Sequence, residues 1–427
     1  MDQSIKVAII GAGCSGLAAV KNCVAKGLEV VCYEANDDIG GNWLYSEQAG
    51  HSSVSETTHL ISSKTLSAFL DFPMPDHYPD YPSHEQVLAY FRDYAKRFNL
   101  RPHIRFNTRV TETRLLADQR WRLTTDTGDR TEYDYLVVAN GHHHTPRHPE
   151  DVRAAFTGRY LHSHAYKHNR SFTGERVLVI GGGNSGCDCA VEISRLARRT
   201  DISIRRAHYI LPKFFLGKPV DTFNQTLRYF PKFVQQGLRR LTVKAMVGDY
   251  GHYGLESPNV PVTSTHPTLN SELLYKIRHG RVHPRRAIER VVGKTVTFAD
   301  GSEQDYDTIV AATGYRINFP FLDRALVDYE EADRIPLYLR MFHPDYPTLL
   351  FIGLFQPQGA IWPLADAQSR LAAAYMTGAY ALPKKLRDLA EADSDRIDRD
   401  FQRSKRHTIE VHYHEFMRRL EKEMSRT

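Results

Sequence analysis

Two glycine-rich turns, each between an apolar run and a helical stretch, are the residues of this chain best suited to hold a ligand. The first is Gly11-Ala12-Gly13-Cys14-Ser15-Gly16, after Ile5 to Ile10 and before Leu17 to Ala25. The second is Gly181-Gly182-Gly183-Asn184-Ser185-Gly186, after Val177 to Ile180 and before a helix expected from about Cys187 to Ala197. Glycines at this spacing allow a tight turn, close approach of backbone to a pyrophosphate, and close helix–strand packing. The helix start adds free N–H groups and the positive end of a dipole. A single such turn is a weak signal; two in strand–turn–helix context point to two dinucleotide sites. Two sugar-nucleotide sites or a decayed repeat are the competing reading.

The ends of the following strands tell the two ligands apart. Leu28 to Tyr33 reads as a strand ending at Glu34, about 20 residues beyond the first turn, where a carboxylate accepts hydrogen bonds from ribose hydroxyls and repels a 2′-phosphate. Ile202 to Ile204 ends instead at Arg205 and Arg206, whose guanidinium groups suit a 2′-phosphate. The order expected is FAD first and NADPH second. FAD contacts are then Gly11, Gly13, Ser15, Gly16 and Glu34; NADPH contacts are Gly181, Gly183, Asn184, Ser185, Gly186 and Arg206, with Arg205 beside it.

The elements that must position these residues repeat. Val137-Val138-Ala139-Asn140-Gly141 closes one apolar strand, and Ile309-Val310-Ala311-Ala312-Thr313-Gly314-Tyr315 closes another, each after an acidic, turn-rich segment. This echo suggests that each nucleotide unit ends on a β-meander and a strand leading to a glycine. The fold class expected is α/β, with two Rossmann-like domains and the NADPH domain inserted into the FAD domain. The boundaries read as 1–154 with 307–427 for FAD, and 155–306 for NADPH. Between the turns, helical spacing marks Gln86 to Phe98, and strands are expected at Ile104 to Val110 and Trp121 to Thr125. Asp395 to Met424 reads as a surface helix.

Composition narrows the class. The chain has 427 residues, 41% hydrophobic and 25% charged, with a formal charge of +6. That length exceeds one ordinary core. Basic pairs such as Arg198-Arg199, Arg285-Arg286 and Arg418-Arg419 read as solvated faces, and no Lys/Arg stripe interleaved with aromatics marks a nucleic-acid partner. Five cysteines do not suggest a secreted disulfide framework. His142-His143-His144 has no partners at metal-ligand spacing, so no metal site is expected. Asp2 precedes the early Lys6, unlike a secretory leader, and Leu371 to Leu382 is too short to span a bilayer. A cytoplasmic protein without a membrane anchor is expected; a homodimer is allowed.

Phe156-Thr157-Gly158-Arg159-Tyr160-Leu161-His162-Ser163-His164-Ala165-Tyr166, just ahead of the second turn, resembles the FxGxxxHxxxY/F pattern of the flavin-containing monooxygenases. Other phrases of that family follow in order: Gly40-Gly41-Asn42-Trp43, Lys64 with Asp71-Phe72-Pro73, Ala312-Thr313-Gly314-Tyr315, and Ile352-Gly353 with Gln356-Pro357 and Gly359. The resemblance covers nearly the whole chain. Baeyer–Villiger monooxygenases continue the motif with Trp and then Pro or Asp; Tyr166-Lys167 stands there in this chain, which resembles the flavin-containing monooxygenases proper.

The resemblance implies that Gly41, Trp43, His51, Val110, Thr313, Gly314 and Gln356 lie on the FAD, and that His162 orients the linker between domains. It also implies that NADPH reduces FAD, that O2 adds at flavin C4a to give a hydroperoxide, and that a soft nucleophile of a small-molecule substrate takes the distal oxygen. One departure stands out. Amine- and sulfide-oxidising members place Asn three residues before the Lys matched by Lys64, beside the reactive flavin edge, and this chain has Ile61 there. Ser62 or Ser63 would have to supply any hydrogen bond. Oxygenation of nitrogen or sulfur is the expectation, with Baeyer–Villiger or 2-oxo-acid chemistry on a carbonyl as the alternative. Outside that class stand an NADPH reductase without oxygen transfer and a non-catalytic redox sensor.

Overall fold

A computed structural model describes residues 4–48, 52–222, 232–401 and 408–426. The chain forms two compact units, one of residues 1–44, 64–145 and 316–427, the other of 45–63 and 146–315. The second is thus inserted into the first twice. This division differs from the expected boundaries mainly at 45–63, which sequence position alone would leave with the first unit.

The first unit is built on a five-stranded parallel sheet, in the order Leu349–Phe351, Tyr135–Val138, Lys6–Ile10, Glu29–Tyr33 and Ile104–Arg105. Val7 to Ile10 are buried without interruption, as suits a parallel strand covered on both faces. The neighbours of Lys6–Ile10 connect in opposite directions, which leaves a crevice at the carboxyl ends where ligands bind in such sheets. Helix His84–Arg97 is fixed at its start by a capping box: Gln86 N–H donates to Ser83 Oγ at 3.4 Å and Ser83 N–H to Gln86 Oε1 at 3.0 Å. Its Tyr90, Phe91 and Tyr94 pack around Phe69 and Trp362, with the Phe91 and Trp362 rings 4.7 Å apart. The strand expected over 104–110 breaks at Asn107, whose φ of +49° no strand tolerates, and resumes as Val110–Leu115.

The second unit repeats the plan in the order His283–Arg285, Arg199–Ser203, Arg176–Ile180, Thr308–Ala311 and Arg159–His162, again parallel. The internal echo is structural. Meander Val110–Leu115, Trp121–Thr125, Arg130–Tyr133 precedes the strand beside the first turn. Meander Ile288–Val292, Thr295–Phe298, Glu303–Asp305 precedes the strand beside the second. Asp134 accepts from Lys6 N–H at 2.7 Å, and Asp307 from Arg176 N–H at 2.9 Å, at equivalent strand starts.

Two expectations are corrected. The C-terminal stretch is two helices, Leu386–Asp400 and Tyr413–Met424, rather than one. Arg285 and Arg419 are not solvated: their guanidiniums bond the buried carboxylates of Asp201 and Asp393 at 2.7 and 2.5 Å. No helix among the described residues is long and apolar enough to cross a membrane.

Candidate functional site

Each glycine turn closes onto the strand that follows its meander. Gly11 has φ +100°, and a Cβ on it would fall 2.8 Å from Ala139 O. A Cβ on Gly16 would fall 1.8 Å from Gly11 O, so helix Cys14–Ala25 meets the strand at a distance only glycine permits. Gly41 lies against the same turn, its added Cβ 3.0 Å from Gly13 Cα, and Gly40 N–H donates to Ala12 O at 3.0 Å. The helix has Gly13 as N-cap and no side-chain cap, so its first N–H groups remain for a ligand. Residues and cradle fit a dinucleotide pyrophosphate.

Glu34 is buried at the end of Glu29–Tyr33. Its Oε2 accepts from Ala12 N–H at 2.7 Å, and its Oε1 from the N–H and side chain of Asn36 at 2.9 and 2.8 Å. Burial raises its pKa, and these bonds oppose the rise. A carboxylate oxygen has two lone-pair sites, so Oε2 keeps one for a ribose hydroxyl. Ser15 is buried beside Gly353, on which a Cβ would sit 2.1 Å from Ser15 Oγ. Trp43 meets Trp362 edge-on at 6.1 Å, and Val110 packs into the core with Ile10 and Tyr33. Gln356 Oε1 lies 3.3 Å from His142 Nε2, a contact across 214 positions that the metal-ligand spacing of the histidine run does not announce. His51 lies outside the described residues.

The second turn is closed more tightly. Gly181 has φ +114°, and its Cβ would lie 2.4 Å from Ala312 O; that of Gly186 would lie 1.9 Å from Gly181 O. Gly183 caps helix Asn184–Ile193, again without a side-chain cap; the helix starts three residues before and ends four before the sequence expectation. Asn184 Oδ1 accepts from Leu269 N–H at 3.0 Å, and Ser185 is exposed. Thr268 Oγ1 donates to the Gly182 carbonyl at 2.9 Å, and His208 Nε2 bonds the same oxygen. Neither residue was legible in sequence, since their contacts with Gly182 span 26 and 86 positions. Arg205 and Arg206 are exposed, while nearby Arg199 and Arg285 are committed to Asp201 at 2.7 Å each.

His162 ends the strand paired with Thr308–Ala311, opposite Ala311. Its Nδ1 accepts from His164 N–H at 3.1 Å, and its ring meets Tyr315 edge-on at 5.4 Å. Burial pulls its pKa down to about 4, so the ring is neutral at pH 7. Thr313 Oγ1 donates to Arg147 O, and Gly314 O accepts from Arg147 N–H at 2.9 Å. Thr313, Gly314, Ile61 and Ser62 all belong to the second unit, whereas Gly11, Gly13, Ser15, Gly16, Glu34, Gly41, Trp43, Val110 and Gln356 belong to the first. Ile61 is 39% exposed and Ser62 half-buried. All five cysteines are free, and burial raises every thiol, Cys14 to about 11. Such thiols are poor nucleophiles at neutral pH. Among the described residues no cluster could hold a metal ion.

The profile of the flavin-binding monooxygenase-like family matches residues 4–426. The chain belongs to this family. Flavin-containing monooxygenase 5 of Homo sapiens is 38% identical over 438 residues, which cover 97% of this chain and 82% of that protein. Flavin-containing monooxygenase 2 of Homo sapiens is 35% identical with the same coverage. Among solved structures, S-allyl-L-cysteine S-oxygenase from Allium sativum has a TM-score of 0.75 at 22% identity, covering 99% of this chain and 89% of its own. Oxidized steroid monooxygenase bound to NADP has a TM-score of 0.75 at 19% identity, covering 99% and 98%. At these identities the structures speak for the fold, two Rossmann-type domains. The monooxygenase uses FAD and NADPH as cofactors.

Proposed function

We propose that the enzyme oxygenates a soft nitrogen or sulfur nucleophile of a small organic substrate, with FAD held by the first unit and NADPH by the second. The flavin supplies the redox and oxygen-activating chemistry when bound. The contrast between Glu34, one residue past its strand, and the Arg205-Arg206 pair, two and three residues past theirs, carries the assignment. In this reading the first N–H groups of helix Cys14–Ala25 receive the FAD pyrophosphate, and Glu34 accepts from its ribose. Arg206, assisted by Arg205, takes the 2′-phosphate of NADPH, and Asn184 and Ser185 line its pyrophosphate. Gly41, Trp43, His51, Val110, Thr313, Gly314 and Gln356 complete the FAD side. His162, neutral and unsuited to donating a proton at pH 7, orients the strand end beside Ala311.

One observation favours less hydrated substrates. Ile61 presents an exposed aliphatic side chain where amine oxidisers are expected to carry Asn. A cationic amine must lose a proton and its hydration shell to react, and Ile61 offers no compensating hydrogen bond. Sulfides, and in the second reading ketones, are therefore preferred over small charged amines. The reading places the enzyme in the cytoplasm, where five free thiols are at home, and allows a homodimer. The test is direct: the purified protein is yellow with one FAD, consumes NADPH and O2, and yields a product carrying oxygen from 18O2. Consumption with peroxide as the only product, across sulfides, amines and ketones, would reduce it to an oxidase or reductase.

A further inference from the structure

Residues 45–63 leave the first unit and return to it, yet pack with the second. The start of this excursion is held from the segment after His162. Lys167 Nζ donates to Ser52 O and, at 3.3 Å, to Val54 O. Glu56 N–H donates to Lys167 O at 2.8 Å. Its end is held differently, by two residues of a single β-hairpin. Strands Phe214–Phe215 and Lys218–Pro219 pair antiparallel around Leu216 and Gly217, both with positive φ, and Val220 N–H donates to Lys213 O at 2.9 Å to close the base. Lys213 and Asp221 flank that hairpin. Lys213 Nζ donates to Leu60 O at 3.1 Å, and Asp221 Oδ2 accepts from Ser63 N–H at 2.6 Å.

The chemistry of this pair is complementary to one short stretch of backbone. A cation takes the carbonyl that enters it and a carboxylate takes the amide that leaves it, and between them lie only Ile61 and Ser62. Both bonds are charge-assisted, and so stronger than neutral ones. Both charges are partly withdrawn from water: burial lowers the pKa of Lys213, which Asp188 partly offsets, and raises that of Asp221. The orientation of Lys213 is itself supported, since its own N–H donates to Ser271 Oγ at 3.0 Å. The backbone N–H and the side chain of Ser63 both oppose the burial-driven rise in the pKa of Asp221, so Ser63 is where this carboxylate grips the loop.

We propose that the hairpin acts as a clip in which Lys213 and Asp221 are positioning residues, fixing the backbone of Leu60 to Ser63 and with it the flavin-edge candidates Ile61 and Ser62. This rests on the reading of Ile61 and Ser62 as flavin-edge residues. The clip would act on how well oxygen transfer is coupled to NADPH oxidation, because a loosened wall admits water and lets reduced oxygen escape as peroxide.

The test uses the FAD-loaded enzyme and four variants, Lys213→Met, Lys213→Arg, Asp221→Leu and Asp221→Asn. Hydrogen exchange is read on the peptide spanning residues 57–66, and peroxide released per NADPH is read with a sulfide substrate. Loss of a bond to a charged group predicts roughly tenfold to a hundredfold faster exchange at Ser63 in Asp221→Leu. Peroxide release should rise in Asp221→Leu and Lys213→Met and return toward wild type in Lys213→Arg, with Asp221→Asn intermediate. Unchanged exchange in both Lys213→Met and Asp221→Leu would overturn the clip, whatever the role of Ile61. Faster exchange with unchanged peroxide release would also overturn it. Ile61→Asn then separates the two failures: altered coupling in that variant keeps the flavin-edge reading, and no change removes it.

Discussion

A Cβ on Gly181 would fall 2.4 Å from the carbonyl oxygen of Ala312, and Gly11 stands in the same relation to Ala139, at 2.8 Å. The two turns are therefore closed by the same device, a glycine at positive φ against the end of the strand that follows a meander. Their ligands should be separable by mutation. Gly181→Ala should retain its yellow colour and weaken NADPH by tenfold or more, since the forced backbone costs roughly 1–3 kcal/mol before the clash is counted. Gly11→Ala should lose FAD. Flavin absorbance after purification and an NADPH titration check both; loss of flavin from Gly181→Ala alone would reverse the assignment.

Arg206 is exposed, beyond the end of Arg199–Ser203, whereas nearby Arg199 and Arg285 are taken by Asp201 and Arg286 by Glu256. Replacing Arg206, or both Arg205 and Arg206, by Gln should weaken NADPH far more than NADH. A charge-assisted bond to phosphate contributes roughly 1.5–3 kcal/mol, or about tenfold to a hundredfold in affinity. Initial rates at varied concentrations of each nucleotide give the ratio, and equal losses for both would show that these arginines do not read the 2′-phosphate.

Ile61→Asn should raise turnover of small amines such as trimethylamine and lower peroxide release with them. The added amide restores a hydrogen bond in a place where an aliphatic chain offers none. Sulfide turnover should change less. Identical substrate profiles and peroxide yields in the two proteins would place Ile61 away from the flavin.

Acid should destabilise the fold through buried neutral histidines. His162 titrates at about 4 in the folded chain against an unfolded value near 6.5, so between those pH values the unfolded chain binds a proton that the folded one refuses. Its stabilisation is present above pH 6.5 and is lost as pH falls toward 4, a change on the order of 3 kcal/mol at most. His343, also pulled down to about 4 by burial, acts in the same sense. Glu34 and Asp221, raised by burial, act in the opposite one. Urea midpoints measured from pH 7 to 4 should fall less steeply in His162→Gln than in wild type; parallel curves would mean that His162 takes up its proton equally in the folded and unfolded chain.

Much of this enzyme was legible in sequence because its determinants are local. A turn that needs glycine at positive φ, an apolar run long enough for a buried strand, and a carboxylate or guanidinium at the strand's end all fall within about thirty residues. Their spacing is enforced by the strand–turn–helix geometry itself. The repeated Val-Ala phrases marked the two strands against which Gly11 and Gly181 close, and the acidic turns before them marked the meanders. The capping box at Ser83 and Gln86 also lies within one helical turn, yet apolar spacing alone places the helix start at Gln86, two residues late.

What depended on tertiary structure was the partner of each isolated polar side chain. No local pattern says that Thr268 and His208 hold the carbonyl of Gly182, that Arg285 serves buried Asp201, or that His142 meets Gln356. The excursion of 45–63 is the clearest case. By sequence it lies between two segments of the first unit, and its serines and threonines fit any loop. Its place in the second unit is set by Lys167, Lys213 and Asp221, which reach its backbone carbonyls and amide from more than a hundred residues away. Backbone groups look alike at every position, so a sequence cannot say which of them a distant charge will choose; only the folded chain, by placing that charge beside one peptide, makes the choice.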